Sequence, residues 1–232
     1  TSFSQTATSK YEFGLNVGAY VYQGDLAPGD LGSLKTIKPG IGISFARIMS
    51  PSFSLRAQFN IASLAGNETL YKSPEYRQYR AFKFNNRVKE LSVLGQWNFL
   101  AAKQKNSKLE PYVFAGAGFT HMNVTRDYSG FVPEYFTDAS SIEAGLAADI
   151  AVSSNKIIPV VPVGIGLRYN LNSSLALNLE TTYRFTRSDY IDGYSKAVNP
   201  NLNDNYYSQT IGVSYKLGRT SKQQTDCPVM KY

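Results

Sequence analysis

At 232 residues, with 17 Tyr and 13 Phe and only 18% charged side chains, the chain has enough apolar surface to offset the entropy of ordering, which excludes a disordered polypeptide. The 24 Lys and Arg outnumber the 17 Asp and Glu, giving a formal charge of +7, but they are scattered along the chain rather than massed in one stripe, which argues against a nucleic-acid partner. No apolar run approaches the roughly 18 residues of a membrane-spanning helix, and the mean hydropathy of -0.26 says nothing against a barrel, whose strands are apolar only at alternate positions.

The opening TSFSQ has no initiator Met and no basic, apolar leader, so residues 1–10 read as an N-terminal periplasmic segment left after leader removal. Period-2 alternation begins at Tyr11, with Tyr11, Phe13, Leu15, Val17, Ala19 and Val21 on one face of a strand over 11–22. Further strands are predicted over 37–49, 53–64, 87–100, 111–124, 160–171, 175–186 and 206–217. These runs exceed the usual globular strand and approach what a tilted membrane strand needs. The connections alternate long (23–36, 65–86, 125–159, 187–205) with shorter (50–52, 101–110, 172–174). An eight-stranded antiparallel transmembrane β-barrel, with long extracellular loops, short periplasmic turns and both termini periplasmic, produces that beat. The barrel is expected over 11–218, followed by a periplasmic tail over 219–232. Two readings stay open: 140–152 has Ile142, Leu146 and Ile150 at helical spacing with Ser141 as N-cap, or hides a hairpin that makes ten strands; and in strand five Tyr112 and Phe114 share a parity with Gly116 and Gly118.

The outward parity collects two aromatic belts, as a lipid-facing surface would. Tyr11, Phe13, Phe45, Phe53, Trp97, Phe99, Tyr169 and Tyr215 fall near the periplasmic strand ends, and Phe59, Phe119, Tyr183, Phe185 and Tyr207 nearer the outer ends. The inward parity carries glycines beside Glu12, Arg56, Glu90, Arg168, Glu180, Arg184 and Lys216, with Gln58, Asn60, Gln96 and Asn178. These form either a polar conduit or an internal salt-bridge network, and the width of eight strands favours the network.

No catalytic, cofactor-binding or metal residues are assigned, and no small-molecule substrate is expected. The one histidine, His121, lies on the outward parity, and no G-x-S-x-G or local Ser–His pair supplies a nucleophile. One His and one distant Cys lack zinc-ligand spacing; neither G-x-x-x-x-G-K-[ST] nor G-x-G-x-x-G precedes a helix. Asp189 and Asp192 read as solvated loop carboxylates. Cys227, an odd cysteine in an exported tail, is a candidate partner contact through an intermolecular bridge. Lys103, Lys105 and Lys108 make the 101–110 turn a basic surface for an acidic partner.

The segments YEFGLNVGAYVYQGDL, LEPYVFAGAGF and VPVGIGLRYNLNSSLALNLETTYRFTRSDYIDGY resemble the PorG-like outer-membrane barrels of the Bacteroidota. The G-D-L after the first strand and Y-R-F-T-R-S-D-Y late in the chain carry most of the likeness. That resemblance implies a non-enzymatic barrel in contact with outer-membrane lipids, anchoring periplasmic ring lipoproteins of the type IX secretion and gliding machinery. It supplies no catalytic residues and no mapped partner motif.

Overall fold

The computed structural model describes residues 10–29, 32–100, 108–199 and 203–217. Eight strands, β1 (Tyr11–Gln23), β2 (Lys38–Ile48), β3 (Phe53–Asn67), β4 (Lys83–Trp97), β5 (Leu109–Asp127), β6 (Asn155–Asn170), β7 (Leu175–Ser188) and β8 (Asp204–Leu217), pair in chain order, each antiparallel to the next. β1 closes on β8 through a continuous register from Tyr11 opposite Leu217 to Gln23 opposite Asn205, so the sheet has no free edge.

The faces follow the two-residue period. Leu15, Val17, Ile41, Ile43, Ile211 and Val213 are exposed on the outside, while Tyr20, Arg56, Glu90, Phe114 and Arg184 are buried within. Tyr112 and Phe114 point inward with Gly116 and Gly118, which settles the parity of β5. Glycine is required there because a Cβ on Gly116 would lie 1.9 Å from the carbonyl oxygen of Val93.

Several strands run past their predicted ends. β3, β4, β5 and β6 extend to Asn67, Lys83, Asp127 and Asn155, because ladder pairing needs only backbone groups and continues above the apolar alternation. Polar pairs such as Lys83 with Asp127, 3.6 Å apart, decorate this rim.

Among the described residues, the long connections hold two α-helices, α1 (Tyr76–Arg80) and α2 (Ala139–Ala151). α2 settles the 140–152 segment as helix, and the ten-strand alternative falls with it. Its N-cap is Asp138 rather than Ser141, and no side chain caps it there. The short side has a turn at 49–52, where Met49 and Ser50 N–H both donate to the Phe53 carbonyl, and one at 171–174 built the same way on Leu175.

Candidate functional site: the lumen and its outer cap

Among the described residues, three ionic rungs cross the lumen, each joining distant strands. Nearest the short turns, Arg168 of β6 donates to Glu12 of β1 at 2.5 Å and to Asn178 at 3.1 Å. Midway, Arg56 of β3 donates to Glu180 of β7 at 2.5 Å, the Tyr112 hydroxyl donates to the same carboxylate at 2.6 Å, and the guanidinium lies over the Phe114 ring. Above it, Arg184 of β7 donates to Glu90 of β4 at 2.5 Å. Glu90 also accepts from Tyr206 at 2.8 Å and Asn60 at 3.1 Å, and Asn60 accepts from Gln58 at 3.1 Å. Arg184, 1% exposed, is sandwiched near the rings of Tyr20 and Tyr206. Buried charges need such partners. Gln96 is buried too. Lys216 faces Glu12 in register, is half-buried, and makes no salt bridge among the described residues. The void left among Glu12, Arg56, Arg168, Asn178 and Glu180 is about 20 Å³, the size of one water rather than of a ligand.

The upper lumen is apolar. Tyr22, Leu26, Leu64, Phe82, Ile191 and Tyr194 form one cluster, with Phe82 stacked on Tyr194 at 4.6 Å. The 189–198 connection dips into the barrel mouth to supply Ile191, Asp192 and Tyr194, so Asp192 is fully buried and not the solvated loop carboxylate its position suggests. The Tyr22 hydroxyl lies 2.7 Å from Asp192 and 2.6 Å from Asp204. A phenol has one proton, so both contacts need a protonated carboxyl. Burial pushes the Asp192 carboxyl well above the usual carboxylate range, which provides it. Asp189 is half-buried, and burial raises it to about 6.

Two more buried carboxylates tie the loops together. Glu68, 0% exposed, accepts from Arg80 and Arg77 of α1. Asp149 of α2 accepts the backbone N–H groups of Ser195, Lys196 and Ala197, each at 3.0 Å. Sequence reasoning missed this cap. Its only signals are loop length and the helical spacing in 140–152, because the partners lie far apart in the chain.

On the outside, Tyr11 stacks on Phe45, Phe13 pairs with Phe45 and Tyr215, and Phe53 pairs with Trp97, which meets Phe99 edge-on. Tyr169 pairs with Leu109 at the same end of the barrel. Tyr183 packs on Phe185 and pairs with Tyr207 toward the cap, whereas Phe59 and Phe119 sit midway along β3 and β5. His121 is half-buried on the outward side between Lys89 and Ile157, and no serine hydroxyl is hydrogen-bonded to it among the described residues. No group of three metal-ligating side chains occurs among them either. Lys108 is exposed beside β5; Lys103, Lys105 and Cys227 lie outside the described residues.

A model of a family described as a domain of unknown function, DUF6089, matches residues 1–220. No curated protein sequence matches the chain. Neisserial surface protein A superposes with a TM-score of 0.53 at 13% identity, over 89% of this chain and 96% of that one. The outer membrane protein OprG of Pseudomonas aeruginosa gives 0.48 at 13% identity, over 91% and 98%. At such identity the first likeness concerns architecture alone: a closed eight-stranded antiparallel barrel of the kind found in bacterial outer membranes.

Proposed function

We propose that this chain, which belongs to the DUF6089 family, is a non-enzymatic integral outer-membrane barrel that anchors a type IX protein secretion complex by docking periplasmic ring lipoproteins. The observation that carries the structural role is the lumen. Among the described residues, three cross-strand ion pairs and an apolar cap fill the lumen. A closed edge and an aliphatic outer band with aromatic rings toward both ends suit a lipid environment. The short turns would face the periplasm and the capped end the exterior. The secretion role rests on the likeness of the first, fifth and sixth-to-seventh strand segments to PorG-like barrels, and on the basic 101–110 turn and Cys227 as partner contacts.

The test is gentle detergent extraction of the tagged full chain from its native outer membrane, with mass spectrometry under reducing and non-reducing conditions. Co-purification of periplasmic lipoproteins is expected, with an adduct sensitive to reductant and absent from Cys227→Ser. Recovery of the barrel with lipid and no stoichiometric protein would overturn the anchoring role and leave a free-standing structural barrel. An outer-leaflet enzyme using His121 finds no support in its surroundings, since its cross-strand neighbours are Lys89 and Ile157.

A further inference from the structure

The outer wall is not uniform. Strand register lines up Phe59, Ile43, Leu15, Val213 and Leu177 as one row of side chains across five strands. Ile61, Ile41, Val17 and Ile211 form the next row toward the cap. Between the two rows, over the backbone of Asn16, Gly42 and Gly212, runs an apolar groove of about 690 Å³. A second groove of about 430 Å³ shares Ile41 and Ile61 and rises past Pro39 and Ser63 to Arg87 and Lys89. The small side chain of Ser63, opposite Arg87, lines its upper side.

The charges at the head of the second groove are unusual. Arg87 and Lys89 are exposed on the outward parity of β4. Their cross-strand neighbours are Ser63, Ile61, Asn123 and His121, and neither forms an ion pair among the described residues. Lys89 sits in the same row as Ile61 and Ile41, and two residues above Leu91. In hydrocarbon such a cation must either snorkel to the interface or meet an anion.

We propose that these two grooves and the Arg87–Lys89 pair form a binding site for a phosphate-bearing, multiply acylated lipid of the outer leaflet. Acyl chains fill the two grooves, and the headgroup phosphate meets the two cations, with His121 beside them. The site rests on the outer-membrane reading above, because only a lipid-embedded wall with its cap outward presents these grooves to that leaflet.

The probe is bisphosphorylated lipid A, compared with lipid A stripped of its phosphates, added to the full chain in mild detergent and read as bound adduct by native mass spectrometry. Wild-type protein is expected to retain the phosphorylated form on the order of 10-fold better, from roughly two favourable cation contacts. Arg87→Gln with Lys89→Gln should abolish that preference. Val17→Trp with Ile41→Trp, which fills the grooves from outside, should lower retention of both forms. A wild type without preference, or a preference that survives the double Gln variant, overturns the site. Failure of the membrane reading is separate: the chain would then be recovered outside the membrane fraction and would show no gel shift on boiling, whatever it bound.

Discussion

Glu90 accepts hydrogen bonds from Arg184, Tyr206 and Asn60 while itself almost fully enclosed. Removing one member of such a pair strands the other in a low dielectric, which costs about 3–5 kcal/mol, whereas replacing both by neutral groups of similar volume is near neutral. Glu90→Gln is therefore expected to lower the urea midpoint of the refolded barrel sharply, and Glu90→Gln with Arg184→Met to recover most of the loss. A double variant no better than the single would show that the pair is not the coupled unit described here. At the cap the sign is set by Asp189, whose carboxyl is raised from its ordinary 3.8 to about 6 by burial. The folded cap thus holds more proton than the unfolded chain between about pH 4 and 6, so its stability falls as pH rises through that window. Hydrogen-exchange protection over 189–198, corrected for the intrinsic pH dependence of exchange, should drop from pH 4.5 to pH 7, and Asp189→Asn should lessen the drop without removing it, because burial raises the Asp192 carboxyl as well. Alternation alone places Glu90, Arg184, Arg56 and Glu180 on the inward face. Which carboxylate meets which guanidinium is set by register across the lumen, and no local pattern in the chain encodes that. Asp192 shows the same limit: a loop aspartate is ordinarily solvated, and only the descent of its loop into the mouth buries it.

The elements divide by how local their causes are. Eight strands follow from two-residue periodicity and turn residues, and the turns at 49–52 and 171–174 fall beside the predicted connections 50–52 and 172–174. Helix α2 is one of the two readings that Ile142, Leu146 and Ile150 leave open in the sequence. Its docking is not legible there, because that depends on Asp149 reaching three backbone N–H groups some 46 to 48 residues away. The approach is close: a Cβ on Gly145 would lie 2.5 Å from the backbone oxygen of Lys196. Gly145→Ala sets a helix-propensity gain of about 1 kcal/mol against displacement of a backbone segment that cannot yield as a side-chain tip would. The displacement should win. Both Gly145→Ala and Asp149→Ala are expected to reduce exchange protection at 195–197 while leaving the β1–β8 amides unchanged. Loss of protection throughout the barrel would instead mean that cap and wall unfold as one unit.

At the scale of the whole molecule, closure has two consequences that can be measured apart. The first concerns the wall: every strand is paired on both sides, so unboiled protein in detergent should migrate differently from boiled protein, and identical mobility would count against a stable barrel. The second concerns the lumen. Its rungs join β1 to β6, β3 to β7 and β4 to β7, at successive levels. An ion crossing the barrel would have to part all three pairs and then displace the Tyr22–Phe82–Tyr194 plug. Each parting exposes a charge to a medium that solvates it poorly. The wild-type barrel is therefore expected to show no sustained conductance in planar bilayers. Glu90→Gln with Arg184→Met alone should also stay closed, since the Arg56–Glu180 rung lies below it and remains intact. Combining neutral replacements at all three levels with deletion of 189–198 should produce discrete openings. A steady conductance from wild-type protein would mean that the rungs part readily, and the conduit reading of the inward charges would then replace the structural one.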